Sequence, residues 1–120
     1  MAKGGLPARE RYWTRRELTV QLRATRHDGG DLGLLVGVGV RGATLLHKVS
    51  LGGARSLTIT VELPPPLEAH SPLVLEAEVR WTHPTPEDPT LSLSGLEFVA
   101  MTPEAIQVLG MVFDKFTRAG

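Results

Sequence analysis

The sequence lacks cysteine altogether, and its aromatic content is low, with two Trp, one Tyr and three Phe among 120 residues. Without cysteine the chain can form no disulfide, no thiolate metal site and no cysteine nucleophile. The lack of disulfides fits a reducing compartment, and a cytoplasmic location is therefore expected. An excess of charge of either sign is also missing, because 13 Lys and Arg balance 13 Asp and Glu. This balance excludes a protein that coats nucleic acid through a general basic surface.

Long apolar runs are absent as well. None approaches the roughly 18 residues that a transmembrane helix needs, so no membrane span is expected. Residues 1–18 carry charge but no apolar stretch, which does not fit a secretory signal. Hydrophobic residues nevertheless make up 42% of the chain, a share typical of a folded globular protein. At this length we expect one domain with one hydrophobic core.

The charge that is present is unevenly distributed. Residues 1–26 carry a net charge of +5, and residues 27–120 carry the compensating −5. The basic positions of the first segment are Lys3, Arg9, Arg11, Arg15, Arg16, Arg23 and Arg26. A basic arm on an acidic body indicates that the arm meets an anion, although a solvated tail has the same composition. We assign residues 1–16 to this arm and residues 17–120 to a single domain.

Period-2 alternation of apolar and polar residues dominates the body of the chain. Residues 55–63 alternate throughout, which is typical of a half-buried antiparallel strand. Residues 73–81 repeat the pattern and place Trp81 on the inner face, where truncation to alanine should cost about 3–5 kcal/mol. Four further strands are expected at residues 18–24, 33–40, 43–49 and 90–99. The pattern predicts a mostly β fold, a small six-stranded antiparallel β-barrel whose closure protects the strand edges.

The hydrophobic period changes to that of a helix only at the end of the chain. Thr102 has the hydroxyl of a helix N-cap, and Pro103 suits the first helical position. From Ile106 to Phe116, apolar residues recur at three- and four-residue steps, which predicts a C-terminal helix packed on the barrel. Gly110 costs this helix about 1 kcal/mol relative to alanine and is expected to allow close approach to a strand.

One motif associated with nucleotide enzymes is present, GxGxxG at residues 37–42. It binds pyrophosphate only where a strand precedes it and a helix follows, and residues 43–49 leave no room for such a helix. A Rossmann site is therefore disfavoured. The four histidines, including His83 in a turn-like polar segment, lack the spacing of a metal site, and no serine has the context of a nucleophile. We expect no metal, no catalytic residue and no enzymatic activity.

A basic arm, six short strands and a closing helix together resemble the PilZ domain family over residues 9–116. That family has the motif RxxxR just before its first strand, and Arg11 and Arg15 have this spacing here, with Arg16 adjacent. Its second motif, DxSxxG, lies at the end of the second strand, where this chain has residues 37–42. Looser similarities cover residues 75–81 and residues 95–104. The resemblance implies a small β-barrel signalling module with cyclic di-GMP as its ligand and no other cofactor.

The second motif departs from the family pattern. Gly37 stands in place of its Asp and Gly39 in place of its Ser, and only Gly42 is retained. A rival register at residues 48–53 keeps a Ser but leaves too few residues before the strand at 55–63. In the family pattern, the planar guanidinium groups of the arginines form bidentate hydrogen bonds with phosphate and guanine. The Asp and Ser accept hydrogen bonds from the guanine edge. Loss of two such contacts, at about 1–3 kcal/mol each, implies binding weakened roughly 30-fold to 10⁴-fold.

Three functions remain open at this point. The favoured hypothesis is a bacterial regulatory module that has weakened or lost cyclic di-GMP binding and contacts an unidentified regulatory or motility protein. Motility, pilus function and exopolysaccharide control are the processes that the resemblance implies. The alternative is a true cyclic di-GMP receptor that uses the arm arginines, aided by Arg41. The third is an unrelated small barrel with a solvated arm. The candidate binding residues are Arg11, Arg15, Arg16, Gly37, Gly39, Arg41 and Gly42.

Overall fold

A computed structural model describes residues 16–39, 41–48, 51 and 55–117. These residues form six strands, one short 3-10 helix and one α-helix. The strands are β1 (Arg16–Arg26), β2 (Asp31–Val38), β3 (Gly42–His47), β4 (Ser56–Val61), β5 (Leu73–Pro84) and β6 (Ser92–Val99). The 3-10 helix is Glu68–His70, and the α-helix, α1, is Pro103–Phe116.

The strands close into a barrel in the order β1-β2-β3-β6-β5-β4, and every neighbouring pair is antiparallel. The expected six-stranded antiparallel barrel is therefore confirmed. Alternation sets the inner face of each strand, since successive side chains of a strand point to opposite sides. The apolar residues of β4 lie inside as expected, with Ile59 and Val61 each 1% exposed.

The helix α1 packs against β1 and β5 and completes the core. Its buried residues are Leu109, Val112 and Phe116. Thr102 caps its N-terminus, because the hydroxyl Oγ1 accepts a hydrogen bond from the Ala105 N–H at 3.1 Å. The predicted helix start and the predicted packing on the barrel are both confirmed.

The first half of β1 contacts both β2 and the end of this helix. Glu17 pairs with Gly37, but the next described partner pair along the two strands is Leu22 with Leu35, so β1 bulges between these points. Within the bulge, Leu18 forms an isolated bridge with Thr117. The Thr19 hydroxyl donates to the Phe116 carbonyl at 2.9 Å. The strand that follows the basic arm is thus anchored to both β2 and the C-terminal helix.

Trp81 does not lie in the core, which corrects the inner-face prediction. Val79 pairs with Leu96 and Trp81 pairs with Gly95, so Arg80 is an extra residue that forms a β-bulge. A bulge of one residue reverses which side chains of the strand point inward beyond it. Trp81 is accordingly 37% exposed. Thr82 instead hydrogen-bonds to the buried Ser94, with 2.7 Å between the two hydroxyl oxygens.

Two further expectations are wrong in detail. A Cβ atom added at Gly110 would meet nothing within 4 Å, so this glycine serves no close approach of α1 to a strand. The close approach occurs at Gly95, where an added Cβ would lie 2.2 Å from Nε1 of Trp81. His83 lies within β5 rather than in a turn, and its ring stacks on that of Trp81 with 5.4 Å between centroids. The strand β5 therefore extends beyond its predicted end.

Candidate functional site

The structure brings the start of β1 beside the glycine segment that replaces the second motif. Arg16 pairs with Val38, and Glu17 pairs with Gly37, across the β1–β2 ladder. Arg16, the last residue of the basic arm, therefore lies directly next to Val38. Arg11 and Arg15 lie outside the described residues, as does the side chain of Arg16.

The segment after β2 is a tight turn. The Gly39 N–H donates to the Gly42 carbonyl at 2.8 Å. Val38 is 1% exposed and points into the core. Because side chains alternate along a strand, position 37 faces away from the barrel interior, and Gly39 follows the end of β2. Gly37, Gly39 and Gly42 are all buried. The expected motif register thus places one glycine on the outer side of β2 and one in the turn that follows, next to the start of β1.

A group of charged side chains lies on the outside of the barrel beside this turn. Glu97 of β6 pairs across the sheet with Gly42 on one side and with Glu78 on the other. Its Oε2 lies 3.8 Å from Nη2 of Arg41, and its Oε1 accepts from Nε of Arg80 at 2.5 Å. We call Arg41, Glu78, Arg80 and Glu97 the Glu97 cluster.

The cluster is closed by a second carboxylate. Nη2 of Arg80 also forms an ion pair with Glu97 and lies 3.1 Å from Oε1 of Glu78. The β-bulge places Arg80 between these two acids, on the outer face of the barrel. The side chains are partly exposed, at 52% for Arg80 and 33% for Glu97. Each pair taken alone contributes little to stability, in the range of about 0–1 kcal/mol.

Arg41 is not the uncommitted cation that the sequence suggested. Its carbonyl accepts from the Phe98 N–H at 2.8 Å, which fixes the backbone against β6. Its guanidinium is paired with Glu97. The expectation that Arg41 offsets the missing Asp and Ser stays a prediction, and a phosphate would have to compete with a carboxylate for this side chain.

A second polar group lies at the other end of the barrel. His47 is 4% exposed, and its Nε2 lies 2.7 Å from the hydroxyl of Ser94, which is fully buried. The nearby cleft of about 200 Å³ is lined partly by His47, Lys48 and Leu91. Another cleft, of about 240 Å³, lies beside Arg26 and Ser56. Both are smaller than most pockets for drug-sized ligands, which measure about 300–1,000 Å³.

The loop between β5 and β6 holds one perturbed carboxyl group. Hydrogen bonds from the Thr90 hydroxyl at 2.6 Å and the Thr90 N–H at 3.0 Å lower the pKa of Asp88 below its usual value of 3.8. Lys48 lowers this pKa further through its charge. These contacts stabilise the loop and form no site with the other acidic residues nearby.

Within residues 16–39, 41–48, 51 and 55–117, no group of three or more His, Cys, Asp or Glu side chains is arranged to hold a metal ion. In the same part of the chain, no helix has both the length and the apolar character needed to cross a membrane.

Comparison with known proteins shows a likeness of fold. No family model matches the sequence. No curated protein matches it either. Among solved structures, the chain is similar to the Bacillus subtilis inhibitor of motility (MotI/DgrA), with a TM-score of 0.66 and 17% sequence identity. The match covers 85% of this chain and 49% of that protein, so the chain spans about half of its length.

Sequence reasoning placed a turn between the second and third strands but missed the Glu97 cluster. Residues 73–79 alternate clearly, so the outward direction of Glu78 and Arg80 was predictable. The position of Glu97 opposite Gly42 depends on the register of β3 against β6, two strands that are distant in sequence. No local sequence pattern determines that register. It is seen only in the structure, where β6 pairs with β3 on one side and with β5 on the other.

Proposed function

We propose that the chain is a PilZ-like bacterial regulatory module with weakened or lost binding of cyclic di-GMP, which acts through contacts with a regulatory or motility protein. Three observations support this proposal. The sequence resembles the PilZ pattern, and the fold resembles that of an inhibitor of motility. Arg16, the last residue of the arm, pairs with Val38, just before the turn that replaces the second motif. The module carries out no chemical reaction in this proposal and works without a metal.

The observation that carries the proposal is the pair of glycines at positions 37 and 39. Gly37 pairs with Glu17 and Gly39 follows the end of β2, so both lie beside the start of β1, where a dinucleotide bound by the arm would meet the barrel. A guanine edge needs acceptors there, and glycine offers only backbone groups. In this proposal the ligand position is kept, while the contacts that would select guanine are missing.

Calorimetric titration of the whole chain with cyclic di-GMP at low salt tests the proposal. We expect no heat of binding, or a dissociation constant weaker than about 10 μM. The variant Gly37→Asp/Gly39→Ser restores the missing acceptors and should bind at least tenfold more tightly, which is about 1.4 kcal/mol. Circular dichroism checks that both proteins keep the barrel. If the folded variant binds no better than the original chain, the proposed register is wrong.

The alternative function is a true cyclic di-GMP receptor that relies on the arm. It is favoured by the direct continuity of the arm with β1 beside residues 37–39. In that case the unmodified chain binds more tightly than about 10 μM, and Arg15→Ala abolishes binding because the phosphate loses its bidentate partner. Val74→Thr, on the exposed face of β5, is the matched control that should leave binding unchanged.

The regulatory role is tested in the cell. Deleting the gene in the host bacterium should change motility, pilus function or exopolysaccharide production. Under our proposal, the original chain and its Arg15→Ala variant restore the phenotype equally, because the dinucleotide is not needed. Under the alternative, only the original chain restores it.

A further inference from the structure

The Glu97 cluster contains two arginines whose charges are already neutralised. Arg41 and Arg80 both pair with the carboxylate of Glu97, and Arg80 pairs with Glu78 as well. Two positive and two negative side chains thus cancel within one patch. The patch borders Gly42, the retained glycine of the second motif, because Gly42 and Glu97 are direct partners across the β3–β6 ladder. Arginines therefore occur beside the expected ligand position, but both are already paired with a carboxylate.

We propose that Glu97 is an intramolecular competitor of phosphate, which excludes an anionic nucleotide from the surface beside the β2–β3 turn. This inference rests on the proposed function, since that function places the dinucleotide next to residues 37–42. A carboxylate and a phosphate oxygen accept from the same guanidinium donors, so Glu97 and a phosphate compete for them. Glu97 is covalently fixed next to both arginines and competes at a high effective concentration.

The geometry of Arg80 makes this competition difficult to avoid. The β-bulge projects Arg80 between Glu78 and Glu97, with its Nε directed at Glu97 at 2.5 Å. An incoming phosphate would have to displace the Glu97 carboxylate and would then lie beside its negative charge. Both effects oppose binding. The absence of Asp at position 37 and of Ser at position 39 weakens binding of the nucleotide. The negative charge of Glu97 on β6 weakens it further.

Glu97→Gln tests the proposal, because it keeps the size of the side chain and removes its charge. The patch then carries a net positive charge, and Arg41 is released from its carboxylate partner. We expect cyclic di-GMP to bind about tenfold more tightly in calorimetry at low salt. The gain should diminish as salt is added, since exposed charges are screened beyond about 10 Å at 0.1 M. Glu97→Thr, whose side chain suits a strand, provides a second neutral variant.

The matched control is Glu76→Gln. Glu76 lies on the outer face of β5, two residues before Glu78, and pairs with Val99 rather than with Glu97. This substitution changes the net charge of the protein by the same amount at a greater distance from the turn. It should leave affinity within about twofold of the original chain. An equal gain in both variants would mean that overall charge decides binding, and this would overturn the proposal.

Adding Arg80→Ala to Glu97→Gln should abolish the gain, because Arg80, which then keeps only Glu78 as a carboxylate partner, supplies the donors that hold the phosphate. A gain that survives this second substitution would overturn the proposal.

All variants are compared in the original chain and in the Gly37→Asp/Gly39→Ser background. If that background binds cyclic di-GMP and Glu97→Gln adds nothing, the competitor role fails while the proposed site remains. If no variant binds in either background, the competitor role and the site both fail.

Discussion

Trp81 shows how one inserted residue determines the environment of its neighbours. The indole lies over Gly95 on the outside of the barrel, where an added Cβ at position 95 would be 2.3 Å from Cε2 of Trp81. His83 stacks on the same ring. The tryptophan is partly covered on the outer surface and contributes little to the core. Its contribution to folding is therefore smaller than that of a fully buried aromatic residue.

Trp81→Ala should destabilise the protein by only about 1–2 kcal/mol, because a large part of the ring is solvated in the folded state. Leu45→Ala is the comparison, since Leu45 is 0% exposed and its loss leaves a cavity that costs about 2–5 kcal/mol. Urea unfolding of both variants measures the difference. A cost above about 3 kcal/mol for Trp81→Ala would show that the side chain is buried.

The lowered pKa of Asp88 predicts that its contribution to stability depends on pH. Its hydrogen bonds from Thr90 lower the folded-state pKa below 3.8, so its stabilising contribution is present above that value. The contribution is lost as pH falls through the lowered pKa. Thr90→Ala removes the hydroxyl donor and should raise the pKa of Asp88 towards its usual value. Carboxyl NMR titration measures this change, and an unaltered pKa in the variant would contradict the assigned cause.

At the scale of elements, local sequence patterns predict where each strand and helix lies. They do not predict the β-bulges within the strands. The alternation of β4 and the N-cap of α1 were both readable from the sequence. The bulges at Arg80 and in the first half of β1 were not, because the sequence remains alternating or polar through them. A bulge is stabilised by pairing with another strand, and that partner is not encoded nearby.

Gly110→Ala should stabilise the protein by about 0.5–1 kcal/mol, because the methyl group meets no atom and alanine favours the helix. Thermal or urea unfolding detects this gain. Gly95→Ala is the opposing control, since its Cβ would displace the indole of Trp81. It should show no such gain and should shift the tryptophan fluorescence. A neutral or destabilising effect of Gly110→Ala would mean that α1 packs more closely at this position.

At the scale of the whole molecule, the number of strands and the final helix determined the fold class, and both were predictable. The candidate site was predictable only in part. The glycine turn and the arm follow from motif positions along the chain. The Glu97 cluster forms only when β6 pairs with β3 on one side and β5 on the other. Such non-local register follows from closure of the barrel and not from any single segment.

The six ladders of the barrel differ in length. β1 and β4 are joined through three described pairs, Ala24 with Val61, Thr25 with Thr60 and Arg26 with Ile59, whereas β4 pairs with β5 at six positions. The β1–β4 boundary is therefore the seam at which the barrel opens first, because the fewest backbone hydrogen bonds must break there. Hydrogen–deuterium exchange should be faster for amides of this seam than for those between β3 and β6. Equal protection at both boundaries would instead show that the barrel opens as one cooperative unit.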